Sequence, residues 1–110
     1  MEIDQETERE IQELQILEQS LQSVLMQKQA FQLELSEIEN SVEELAKTKD
    51  DVYKIVGSIM IKANKDSLNK ELKEKKEMIT LRLKSFNSQE EKISQSAESL
   101  RKKVLSKIQK

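Results

Sequence analysis

The sequence contains no proline and a single glycine, Gly57, so the two residues that most often interrupt helices are nearly absent. Cysteine is absent, which excludes disulfides and thiolate metal sites. Histidine, the commonest general base and metal ligand, is also missing. Aromatic residues make up only 3% of the 110 residues, less than a compact core normally uses. These absences favour long helices or disorder over a globular fold, and periodicity must decide between them.

The residue types present in the sequence disfavour catalytic and ligand-binding functions. No Cys–His or Ser–His pair can form, and no glycine-rich phosphate loop is present. The net charge is −2 with lysine and glutamate interspersed, so no basic surface for nucleic acid is expected. No apolar run approaches the roughly 20 residues of a membrane span. We therefore expect no enzyme activity, catalytic residue, metal site or cofactor, and no binding to nucleic acid or membrane.

Two heptad patterns predict a coiled coil of two helices, over residues 4–49 and 66–110. In the first pattern only Lys28 interrupts the apolar positions, which otherwise repeat with steps of three and four. In the second, Asn64 or Asp66 is a suitable N-cap. The first pattern places Leu14, Leu21, Lys28, Leu35 and Val42 at a, and Leu17, Val24, Phe31, Ile38 and Leu45 at d. The second places Lys76, Leu83, Glu90, Ala97 and Val104 at a, and Leu72, Ile79, Phe86, Ile93, Leu100 and Lys107 at d.

Between the helices, Val52–Val56 and Ile59–Ala63 are rich in β-branched residues and flank Gly57-Ser58. This pattern predicts a β-hairpin with a tight turn rather than one continuous helix through Gly57. A hairpin makes the helices antiparallel, with Lys28 near Glu90. The fold class is thus mainly α, a long antiparallel two-helix coiled coil with a central hairpin. We expect one domain, made of an N-terminal arm (1–49), the hairpin (50–65) and a C-terminal arm (66–110).

The hairpin is expected to be the assembly element. A two-stranded hairpin is marginal alone, and this one carries apolar residues on both faces and two open edges. Strands from other subunits, closing an intersubunit β-barrel, would complete the sheet. The alternative is that the hairpin folds back on its own coiled coil. The residues expected at this interface are Val52, Tyr53, Ile55, Val56, Gly57, Ile59, Met60 and Ile61.

Apolar residues off the seam also cluster where the two ends of the chain meet, called the tip here (residues 3–16 and 100–109). The seam weakens there, because Thr7 and Glu10 occupy seam positions opposite Lys107. A frayed tip could hold non-native chains weakly, although the same residues could instead complete a wider seam or pack on a further helix. The candidate client-binding residues are Ile3, Ile11, Ile16, Leu105 and Ile108.

The central segment, DVYKIVGSIMIK at residues 51–62, resembles the hairpin of the prefoldin family. The segments KELKEK at 70–75, LRL at 81–83 and Gln89-Glu90 also resemble its beta-type subunit, either the archaeal beta or the eukaryotic subunit-six kind. One hairpin rather than two is typical of the beta type. The sparsely apolar N-terminal end departs from the family pattern.

The resemblance implies an ATP-independent chaperone of the cytoplasm. It implies a hexamer of two alpha-type and four beta-type subunits, whose arm tips capture unfolded proteins and deliver them to a group II chaperonin. The alternative is a coiled-coil tether or scaffold subunit that spaces its partners and has no affinity for unfolded chains.

Overall fold

The computed structural model describes residues 3–109 and consists of two helices separated by a hairpin. The order is α1 (Gln5–Lys47), β1 (Val52–Val56), β2 (Ile59–Ala63) and α2 (Lys65–Ile108). The predicted fold class is confirmed, and both strands have the predicted bounds. The expected end of the C-terminal arm at residue 110 lies outside the described residues.

Helix α1 begins behind an aspartate cap. The backbone N–H of Thr7 donates to Oδ1 of Asp4 at 2.7 Å, which satisfies one of the free amides of the first turn. Hydrogen bonds from Thr7 hold the pKa of the Asp4 carboxyl below its usual range. At the other end the Thr48 hydroxyl donates to the carbonyl of Glu44 at 2.8 Å, within the last turn. The Asp4 cap thus accounts for the start of α1.

Helix α2 begins behind Asn64, which settles the choice between the two candidate caps. The backbone N–H of Ser67 donates to Oδ1 of Asn64 at 3.0 Å, whereas Asp66 lies in the first turn. An acidic residue there is favourable because the helix dipole is positive at its N-terminus. Lys65 Nζ also donates to the carbonyl oxygen of Thr48 at 2.8 Å, which ties the start of α2 to the end of α1.

The hairpin has the predicted two-residue turn. Val56 pairs with Ile59 and Val52 with Ala63, so the strands are antiparallel and in register over five residues each. Gly57 has φ 63°, while Ser58 keeps a negative φ. Positive φ at the first central position alone is the pattern of a type II′ turn, which suits the twist of the flanking strands. A continuous helix through Gly57 is excluded.

The chain divides into two compact units. One comprises Met1–Gln29 with Lys84–Lys110, and the other comprises Ala30–Leu83. In the first unit Glu18 pairs with Arg101 and Lys28 with Glu90, so the helices run antiparallel there. The buried apolar residues of both units all occupy predicted a or d positions, which confirms the heptad assignment. They are Val24, Phe86, Ala97 and Val104 in the first unit, and Ile38, Leu45 and Ile79 in the second.

Candidate functional site

One face of the hairpin is covered only where it meets the helices. Alternate residues of a strand share a face, so Val52, Lys54 and Val56 lie together with their partners on β2. Val52 and Lys54 are half-buried, and Lys54 Nζ donates to both carboxylate oxygens of Glu71, at 2.8 and 3.0 Å. Toward the turn the helices no longer cover this face, and Val56, Ile59 and Ile61 are exposed.

The opposite face of the hairpin is uncovered along its length. Ile55 is 71% exposed and its cross-strand partner Met60 is 66% exposed, while Tyr53 and Lys62 beside them are exposed too. The sheet of the described residues has two strands, so both of its edges present unpaired backbone groups. The helices therefore do not cover these residues, contrary to the alternative in which the hairpin folds back on its own coiled coil.

A groove of about 450 Å³ lies beside β1, where the hairpin meets the helices. Its apolar walls include Leu45 of α1, Val52 and Ile55 of β1, and Leu72 of α2. Leu45 and Leu72 thus lie close together, as the predicted antiparallel register requires. The groove extends the apolar surface of the hairpin toward the helix seam.

At the tip, polar residues replace the apolar seam and are nevertheless buried. Thr7 is 4% exposed and Glu10 is 6% exposed. Glu10 Oε1 accepts a hydrogen bond from Lys107 Nζ, and Glu10 Oε2 lies 3.4 Å from Lys103 Nζ. Lys107 Nζ also lies 3.7 Å from Oε1 of Glu6. A buried carboxylate between two ammonium groups therefore joins the two helix ends.

The pairing of Glu10 with Lys107 shifts the pKa of both residues. The hydrogen bond from Lys107 lowers the pKa of the Glu10 carboxyl, and this effect exceeds the desolvation that would raise it. The same hydrogen bond raises the pKa of Lys107, again against desolvation. Both shifts favour the charged forms, so Glu10 and Lys107 are ionised near neutral pH.

The structure separates the predicted tip residues into two groups. Ile3, Ile16 and Leu105 are exposed, whereas Ile11 and Ile108 are half-buried. The expectation of a frayed tip was wrong, because both helices continue into it and Val104 is only 5% exposed. At this closed seam Glu10 pairs with two cationic residues, Lys107 and Lys103, rather than with Lys107 alone. Sequence reasoning missed Lys103, although its i, i+4 spacing from Lys107 was a usable signal.

Further apolar side chains are exposed away from the seam, and they belong to different units. Leu25 and Met26 lie in the unit that contains the tip, and Leu33, Met78 and Leu81 lie in the unit that contains the hairpin. Within residues 3–109 neither helix is apolar enough to cross a membrane. The same part of the chain holds no group of three or more acidic side chains placed to bind a metal ion.

Comparison with known proteins identifies the family. A family model described as prefoldin subunit matches residues 8–110. The prefoldin subunit beta of Pyrococcus furiosus is 39% identical over 94 residues, which are 84% of this chain and 80% of that protein. The prefoldin subunit beta of Archaeoglobus fulgidus is 43% identical over 83 residues, or 74% of this chain and 72% of that protein.

A solved structure agrees with the sequence comparison. The crystal structure of the prefoldin beta subunit from Thermococcus strain KS-1 matches with a TM-score of 0.85 and 34% identity. The match covers 96% of this chain and 94% of that one. A single hairpin between two long helices is thus the fold of a beta-type subunit. This chain belongs to the prefoldin family of chaperone subunits.

Proposed function

We propose that this chain is a beta-type subunit of a cytoplasmic, ATP-independent chaperone that captures unfolded proteins at its tips and delivers them to a group II chaperonin. It acts without catalysis or cofactor, and it assembles with alpha-type and further beta subunits as a hexamer of two alpha and four beta chains. The observation that carries the proposal is the hairpin, which in a member of this family exposes apolar residues on both faces.

Assembly through the hairpin is supported by its composition and by its edges. Ile55 and Met60 on one face, and Ile59 and Ile61 on the other, remain exposed in the single chain. Large apolar patches of this kind mark interaction surfaces, and open strand edges pair readily with further strands. Strands of neighbouring subunits would bury the exposed apolar side chains and also form hydrogen bonds with the unpaired backbone groups at the strand edges.

Client capture at the tip is supported by Ile3, Ile16 and Leu105, which are exposed near the ends of the chain. Burying one such side chain contributes roughly 1.5–3 kcal/mol at most, so a single tip binds an unfolded chain weakly. Several tips joined by one platform act together, because after the first contact the later ones are intramolecular. Weak contacts of this kind also suit clients that share no sequence.

A tether or scaffold without affinity for unfolded chains is the second candidate. It is favoured by the tip itself, where buried Glu10 pairs with half-buried Lys107 across the seam and few apolar side chains are exposed. The two functions are separated by the aggregation of a chemically denatured client after dilution, followed by light scattering. We expect the hexamer to suppress aggregation at near-stoichiometric amounts. Undiminished aggregation in its presence would favour the tether.

The matched control for that experiment is the same chain with Ile59 and Ile61 replaced by lysine, at equal subunit concentration. If capture needs several joined tips, the unassembled control suppresses aggregation far less than the hexamer. Equal suppression by both would show that single chains bind the client and that the assembly is unnecessary for capture.

A further inference from the structure

We infer that Glu10, with Lys107 and Lys103, forms a latch that holds the ends of α1 and α2 together, and that the tip offers its full apolar surface to a client only when this latch opens. The inference rests on the proposed function for its second half. Its first half, the opening of the tip, is a property of the chain alone and is measurable without any client.

The latch has its charges on both helices. On α2, Lys107 Nζ donates to one carboxylate oxygen of Glu10, and Lys103 Nζ lies 3.4 Å from the other. On α1, Glu6 lies 3.7 Å from Lys107, and Asp4 also attracts the same ammonium. Lys103 and Oε2 of Glu10 form an ion pair, and this contact lowers the pKa of the Glu10 carboxyl further. Among residues 3–109, Glu10 is the acidic residue that forms ion pairs with both lysines.

The closed latch covers apolar surface. Val104 lies between the two lysines in sequence and is buried, and Ile11, directly after Glu10, is half-buried. Ile108, directly after Lys107, is half-buried as well. Separation of the helix ends would expose all three residues beside Leu105, which is already exposed. Opening the latch would thus enlarge the exposed apolar surface of the tip.

An ion pair suits a seam that has to open. Replacing a buried ion pair by well-packed apolar residues is often neutral or stabilising, so leucine at both positions would close the tip at least as well. When a charged pair separates, each ion regains its hydration, whereas apolar residues regain nothing from water. Terminal turns of a helix also open more easily than its middle. The charges at the tip therefore lower the free energy of opening relative to an apolar seam.

Three variants of the full chain, each assembled with its partner subunits, test the latch. Glu10→Gln removes the negative charge and leaves Lys103 and Lys107 to repel each other. The double variant Glu10→Leu with Lys107→Leu restores an apolar layer. Glu90→Gln is the matched control, because it makes the same chemical change at a polar layer of the seam away from the tip, where Glu90 accepts a hydrogen bond from Lys28.

The primary measurement is hydrogen–deuterium exchange of the backbone amides of residues 8–11 and 104–108. We expect Glu10→Gln to accelerate exchange there by about tenfold or more, because it removes the carboxylate that pairs with both lysines and leaves Lys107 only its longer contact with Glu6. The double variant should slow this exchange below that of the unsubstituted chain, and Glu90→Gln should leave it unchanged. Equal exchange in Glu10→Gln and the unsubstituted chain would overturn the latch.

The second measurement is the suppression of client aggregation by the same assemblies. We expect Glu10→Gln to suppress aggregation at a several-fold lower concentration, and the leucine double variant to need a higher one. Faster exchange in Glu10→Gln without improved suppression would overturn the link between opening and capture. If the unsubstituted assembly and Glu10→Gln both suppress nothing, the proposed function fails, while the exchange data still decide whether the latch exists.

Discussion

Lys28 of α1 donates a hydrogen bond to Glu90 of α2, with 2.8 Å between Nζ and Oε2. Each residue is a charged residue at a seam position whose neighbouring seam positions are apolar, and the side chains are 24% and 32% exposed. The pairing was predicted from the two heptad patterns and is confirmed. Two opposite charges that pair across the seam destabilise the coiled coil less than either charge would opposite leucine, because each charge is compensated by the other.

The first prediction concerns this pair. Lys28→Glu or Glu90→Lys alone should destabilise the coiled coil, because like charges then meet in the seam. Reversing both charges should restore much of the loss, with a coupling of roughly 0.5–3 kcal/mol. Urea unfolding followed by circular dichroism measures the four free energies of unfolding. Strictly additive losses would mean that the two side chains do not interact in solution.

The second prediction concerns assembly. Replacing Ile59 and Ile61 by lysine should abolish oligomer formation, since it places two charges at exposed positions of the hairpin that would be buried in a barrel. The helices should keep their circular dichroism signal, because their seam is separate. Mass measurement by light scattering reports the result.

The control for assembly is the double change Met78→Lys with Leu81→Lys, at two exposed apolar positions on α2. It adds the same charge outside the hairpin and should leave the mass of the oligomer unchanged. An intact oligomer in the hairpin variant, or its loss in the control, would place the assembly surface on the helices instead.

The third prediction concerns the exposed tip residues. Ile16→Ser combined with Leu105→Ser should weaken client capture several-fold, because it removes apolar surface from every tip in the assembly. Both side chains are exposed, so the seam should be unaffected. Met26→Ser is the control, since this exposed residue lies outside the tip. If Met26→Ser weakens aggregation suppression more than the tip variant, clients bind along the middle of α1.

The fourth prediction is a pH window for tip closure. The pKa of Glu10 is lowered from its ordinary value of 4.5, so its contribution is complete above that pH and is lost as the pH falls through the lowered pKa. The pKa of Lys107 is raised from 10.5, so its contribution is complete below that pH and is lost as the pH rises through the raised pKa. The tip should therefore stay closed between these limits and open outside them.

Spin labels can measure this opening, because the chain has no cysteine of its own. Gln5→Cys and Ser106→Cys place two labels at exposed positions of the tip, one on each helix. The distribution of distances between the labels should be constant between these two pH limits. In acid it should broaden toward longer distances. The same labels in the Glu10→Leu, Lys107→Leu variant should show no such acid-induced broadening. Identical behaviour of both proteins would attribute the opening to other groups.

The amino-acid sequence alone determined the secondary structure and the core of this protein. A sustained heptad pattern without proline predicts a coiled coil. Each buried apolar residue of the structure occupies an a or d position of that pattern. The β-branched residues around Gly57 determined the hairpin and its turn equally well. The helices and the hairpin depend on interactions between residues a few positions apart, and the spacing of such residues can be read from the sequence.

Only the tertiary structure decided how the tip is built. The distance between two helices sets which lysine reaches a given carboxylate, and a heptad pattern does not specify it. Glu10, expected in a frayed end opposite Lys107, is buried between Lys107 and Lys103. Asn64 rather than Asp66 caps α2 because β2 ends at Ala63 and the helix begins directly after Asn64. Long side chains have many conformers, and only their three-dimensional surroundings select one of them.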